Sequence, residues 1–150
     1  MNEIERPREE ASNKKLLGIV LIIIGIGIII YLVFIGLGSS GRDDNASKSD
    51  ITRISQEQPV VLFFWGQGCA PCQEQKPVIE DLEDNYKGLN VTFYWFDASR
   101  HNDLTEHYDI YGVPTTIVLN QTGPVKTFVG FSDYNTISVA IDDAIKSYED

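Results

Sequence analysis

The chain holds two cysteines and two histidines among its 150 residues, and each shortage closes off a class of function. With Cys69 and Cys72 as the only thiols, nothing else in the chain can pair with them or scramble them. A structural zinc site needs four ligands and would have to recruit both histidines, His101 and His107, which places it far behind other uses of the pair. A c-type haem needs histidine directly after the second cysteine, and Gln73 stands there. No cysteine stands directly after the long apolar segment near the N-terminus, which excludes a lipoprotein-type anchor. Basic residues are also scarce: 12 Lys and Arg face 22 Asp and Glu, for a formal charge of -10. That balance argues against nucleic acid and against docking on anionic lipid, and reads as a solvated acidic surface. Internal repeats are absent.

What the chain does have is a pair of thiols with two residues between them, in Trp65-Gly66-Gln67-Gly68-Cys69-Ala70-Pro71-Cys72, directly after a continuous apolar run. Val60 to Trp65 reads as a strand buried on both faces, and the stretch from Pro71 as a helix with proline in its first turn. Cys69 then lies at a helix N-terminus, where unpaired N–H groups and the positive end of the helix dipole stabilise a thiolate. Cys69 is thus the expected nucleophile and Cys72, one turn inside, the resolving thiol. An inert structural bridge is a poor alternative, because so short a loop constrains the unfolded chain very little.

Leu16 to Leu37 runs for twenty-two residues without a charge. About 20 apolar residues span a bilayer, whereas a cleaved signal peptide carries an apolar core of about 7 to 15, so an uncleaved transmembrane helix is expected at residues 16–37. Arg6, Arg8, Lys14 and Lys15 precede it and only Arg42 and Lys48 follow closely, which keeps the N-terminus cytoplasmic. The rest of the chain then lies in an extracytoplasmic compartment that permits disulfides. The expected organisation is a cytoplasmic tail (1–15), the membrane helix (16–37), a Gly, Ser, Asp and Asn-rich linker (38–49) and one globular domain (50–150).

Within that domain helices and strands alternate. Helices are expected at Asp50–Gln56, at Pro71 to about Tyr86 with a kink at Pro77, at Asp103–Tyr108 and from Asp133 to Tyr148. Strands are expected at Pro59–Trp65, Asn90–Asp97, Thr115–Leu119 and Val125–Phe131, the last two forming a hairpin through Asn120 to Pro124. Tyr94, Trp95 and Phe96 read as sheet core, and the two histidines as solvated surface residues. Interleaving of this kind gives an α/β sheet covered on both faces.

From about residue 50 to the end the chain resembles the thioredoxin family. The resemblance rests on Phe64-Trp65 leading into Cys69-Ala70-Pro71-Cys72, on Pro77 in the following helix, on Asp97 ending the next strand, and on Gly112-Val113-Pro114-Thr115 before the hairpin. It implies a thioredoxin-like fold, a central mixed sheet flanked by helices with the dithiol at a strand-to-helix turn. It also implies a cis bond between Val113 and Pro114 facing the cysteines, where the sequence by itself would give trans. Three departures stand out. Gly68 occupies the place before the first cysteine where thioredoxins usually carry Trp. The family's buried carboxylate aligns with Phe63, and its partner lysine with Phe93. Ser40 to Lys48 is too polar for the family's first strand, so four strands are expected.

The activity implied is thiol-disulfide exchange on protein disulfides, with the Cys69–Cys72 pair as the redox group and no other cofactor. Trp65, Gly68, Val113 and Pro114 would form the substrate rim, with the Val113 backbone pairing with an extended segment of substrate. Ala70 and Pro71 support the turn, and Pro114 guards the thiols against metal. With no carboxylate at position 63, the proton of Cys72 falls to water or to another acid such as Glu74. Ala70-Pro71 offers no histidine to stabilise a thiolate, which favours a reductase, and the resemblance to anchored members of the family implies a membrane electron donor. An oxidase or isomerase of the same fold, or a tethered binding or chaperone-like module without turnover, are the alternatives.

Overall fold

The computed structural model describes residues 23–27 and 45–149. Residues 23–27 are helical, with Ile23, Ile24 and Ile26 exposed. The remainder of the expected membrane span, the tail and linker residues 38–44 lie outside the described residues. Among the described residues no helix is long and apolar enough to cross a membrane.

The first helix of the domain, α1 (Lys48–Ser55), begins two residues before the expected Asp50 because Ser47 and Asp50 form a reciprocal cap. The Ser47 N–H donates to Asp50 Oδ2 at 3.2 Å, and the Asp50 N–H donates to Ser47 Oγ at 3.3 Å. The elements that follow are β1 (Val60–Trp65), α2 (Ala70–Asn85), β2 (Thr92–Asp97), α3 (Asn102–His107), β3 (Thr115–Asn120), β4 (Gly123–Val129) and α4 (Tyr134–Lys146). Pro77 lies inside α2, which continues past it to Asn85.

Among the described residues one sheet forms, of four strands in the order β2-β1-β3-β4. β1 runs parallel to β2 and antiparallel to β3, and β3 and β4 form the hairpin. Side chains alternate across a strand, so β1 feeds two cores at once. Val61 and Phe63 join Phe93, Trp95, Val118 and Phe128 under Ile79 and Leu82 of α2 and Ile137, Ile141 and Ala144 of α4. Val60, Leu62 and Phe64 join Tyr94, Phe96, Ile117 and Leu119 against Ile51 of α1 and Leu104 of α3. Burial on both faces explains why β1 reads as an unbroken apolar run.

Two expectations are corrected here. The hairpin turn is tighter than Asn120–Pro124, since Asn120 and Gly123 are already a ladder pair and only Gln121 and Thr122 lie between. Asn120 Oδ1 accepts from the Thr122 N–H at 2.9 Å and from Thr122 Oγ1 at 2.7 Å, closing the turn locally. Pro124 is then part of β4, which tolerates it as an edge strand. The second correction is His101, which is only partly exposed and is held against the domain. Its Nδ1 lies 3.0 Å from the Asp97 carbonyl oxygen and its ring packs on Phe96 at 5.0 Å between centroids, whereas His107 is exposed.

Candidate active site

The site forms where β1 gives way to α2. After Trp65 the chain turns through Gly66, Gln67 and Gly68, and each glycine has a steric reason. Gly68 has φ +70°, a left-handed conformation that a side chain strains. That conformation accounts for glycine where the family usually places tryptophan. A Cβ on Gly66 would sit 3.2 Å from Val113 Cγ2, so glycine there lets the turn pack against the loop before β3.

Cys69 is the N-cap of α2, with Ala70 and Pro71 opening the helix. Cys69 and Cys72 are joined in a disulfide, their Cα atoms 5.2 Å apart. The two sulfurs differ in surroundings. Cys72 is fully buried, while Cys69 is partly exposed, and its Sγ accepts from the Cys72 N–H at 3.2 Å. An N-cap acceptor takes up one of the orphan donors of the first turn, and a thiolate at this position would do so with a full charge. The Val113 carbonyl oxygen lies 3.6 Å from Cys69 Sγ, which brings the loop before β3 onto the dithiol. The Val113–Pro114 bond in that loop is cis, Pro114 is buried, and Thr115 Oγ1 donates to the Gly112 carbonyl at 2.8 Å to close the turn.

Of the residues expected at the site, Cys69, Cys72, Ala70, Pro71, Gly68 and Val113 converge there, with Pro114 next to Val113. Trp65 ends β1 and is half-buried against the sheet core, with the Lys76 ammonium 4.1 Å above its ring. Glu74 is not brought to the thiols. It lies two residues beyond Cys72, about 200° around the helix, and is exposed. Asp97 is buried, but its carboxylate accepts from the Ser99 N–H at 3.0 Å and Oγ at 2.7 Å. Those bonds hold it below the usual carboxylate range. At position 63 the ring packs edge-on against Trp95 at 4.9 Å, filling with aromatic surface the place where the family keeps its acid. Among the described residues no carboxylate is hydrogen-bonded to either sulfur, and no cluster of three or more His, Cys, Asp or Glu could hold a metal ion.

Sequence reasoning missed Gln75. It is fully buried on the same face of α2 as Cys72, where the spacing to Ile79 and Leu82 calls for an apolar residue. A polar side chain on an otherwise apolar stripe was the available signal. It also missed the exposed aromatics flanking the loops, Tyr111 and Phe131.

The thioredoxin family model matches residues 44–143. A thioredoxin of Alicyclobacillus acidocaldarius is 25% identical over 93 residues, covering 62% of this chain and 88% of its own length. The mitochondrial thioredoxin of Mus musculus is 32% identical over 80 residues, 53% of this chain and 48% of the mouse protein. Among solved structures, the thioredoxin of Malassezia sympodialis superposes with a TM-score of 0.58 at 26% identity, over 66% of this chain and 86% of that one. A dithiol capping α2 under a cis-proline loop thus coincides with a sequence match over two thirds of the chain, and the protein belongs to the thioredoxin family as a thiol-disulfide oxidoreductase whose redox group is the Cys69–Cys72 pair.

Proposed function

We propose that the chain is a membrane-anchored reductase that opens disulfides of proteins outside the cytoplasm. The observation that carries the chemistry is Cys69, partly exposed at the start of α2 with its sulfur beside the carbonyl of Val113. Cys69 thiolate attacks one sulfur of a substrate disulfide, and the other substrate sulfur leaves as a thiolate. Cys72 loses its proton to water and attacks Cys69 Sγ, releasing the second substrate thiolate and leaving the Cys69–Cys72 disulfide. Two electrons pass to the substrate. An extended substrate segment aligns along the Val113 backbone, with Gly68, Pro114 and the edge of Trp65 forming the rim.

The anchor reading is supported by the uncharged stretch Leu16 to Leu37 and by the excess of Arg and Lys before it. A reductase on that side of the membrane must be re-reduced, which calls for a membrane protein that carries electrons outward. Two measurements test the proposal. The midpoint potential of the full-length chain is expected near the thioredoxin value of about −270 mV; a value above about −200 mV overturns the reductase direction in favour of an isomerase or oxidase. Protease added to intact cells stripped of any wall or outer membrane is expected to digest the chain after Gly38, and complete protection reverses the orientation.

A further inference from the structure

Gln75 is fully buried, and its amide bonds both ways to one residue on a different part of the chain. Its Oε1 accepts from the Ser132 N–H at 2.7 Å, and its Nε2 donates to the Ser132 carbonyl at 3.0 Å. A carboxamide presents one acceptor and one donor side by side, as a peptide unit does, so this pairing imitates one step of a sheet ladder between a helix and a loop. Two residues earlier, the Gly130 N–H donates to the Pro114 carbonyl at 2.8 Å. The bend between β4 and α4 is therefore tied at one end to the cis-proline segment and at the other to the helix that carries the cysteines. Between the two ties stands Phe131, half exposed.

From this geometry we infer that Gln75 is a positioning residue for disulfide exchange, locking the Gly130–Ser132 bend against α2 so that Phe131 is held ready for a protein substrate. The inference rests on the exchange activity of the dithiol. Gln75 touches neither sulfur in a hydrogen bond, and the role needs a neutral amide rather than an acid. Without the clamp the bend must be ordered each time a protein docks, a cost that appears in binding and not in the chemical step. A small disulfide, which needs no such docking surface, escapes that cost.

The test uses the full-length chain with Gln75→Leu, which removes both bonds, and Gln75→Glu, which keeps the length and the acceptor but loses the amide donor. Insulin serves as the protein disulfide and Ellman's reagent as the small one. Each folded variant is expected to raise KM for insulin at least about fivefold, the equivalent of one lost hydrogen bond, with kcat and the rate on Ellman's reagent within about twofold of the parent. An unchanged KM for insulin overturns the inference, as does a parallel fall on both substrates. If Gln75→Leu does not fold, Gln75→Glu decides on the same criteria. Hydrogen exchange at the Ser132 amide reads the clamp without any activity: exchange about tenfold faster is expected in Gln75→Leu, which loses the acceptor of that N–H, and unchanged protection there overturns the clamp whatever the enzyme reduces.

Discussion

Cys69 and Cys72 are three residues apart and chemically unequal. Cys69 is partly exposed and caps the first turn of α2, whereas Cys72 is fully buried within it. Access and thiolate stabilisation both favour Cys69 as the attacking group. After reduction, iodoacetamide near neutral pH is expected to label Cys69 well before Cys72, as peptide mapping of a time course would show. Faster labelling of Cys72 reverses the assigned roles. Cys72 itself has no acid beside it in the family's manner, since Phe63 and Phe93 lie in the sheet core with Trp95. Both thiols were legible from their spacing and from the apolar run before them. The reason for Gly68 was not, because a positive φ at one residue leaves no trace in composition; nor was Gln75, whose partner is 57 residues away.

At the scale of elements, three aspartates hold ends in place. Asp50 completes the cap of α1, Asp133 caps α4 through the Thr136 N–H and Oγ1, and Asp97 ends β2 by gripping Ser99. Hydrogen bonds from Ser47, Thr136 and Ser99 respectively are the main cause holding each carboxyl below its ordinary value of 3.8. A carboxyl lowered in the folded state makes the unfolded chain the stronger proton binder. The stabilisation is thus complete above about pH 4 and lost as pH falls through the lowered folded values. Urea midpoints are therefore expected to hold steady from pH 7 to about pH 5 and to decline below about pH 4. Changing all three to asparagine is expected to flatten that decline; an equally steep fall in the triple variant would rule out these caps as its source. The elements themselves were largely readable. β1 announces itself as an apolar run with five of its six residues buried, and α2 and α4 by apolar residues at helical spacing. Their ends were less so. Side-chain caps moved the start of α1, and the Asn120 turn drew Gly123 and Pro124 into β4.

For the molecule as a whole, the sheet order β2-β1-β3-β4 is what brings the site together. Central β1 delivers the cysteines, and its neighbour β3 delivers the Val113–Pro114 loop to the same end, because the two strands are antiparallel and one ends where the other begins. Pairing across the sheet is non-local, so the convergence of residue 69 on residue 113 came from the family resemblance and not from periodicity. The central claim, that this dithiol exchanges with protein disulfides through a mixed disulfide, is tested most directly by removing the group that resolves it. Cys72→Ser keeps the attacking thiol and is nearly isosteric, and the bridge closes too short a loop for its loss to unfold the chain. Expressed in the native host and resolved on non-reducing gels, Cys72→Ser is expected to carry substrates covalently bound through Cys69 that reducing agent releases, with far fewer on Cys69→Ser. A folded Cys72→Ser chain that carries no thiol-reversible adduct would contradict the exchange mechanism.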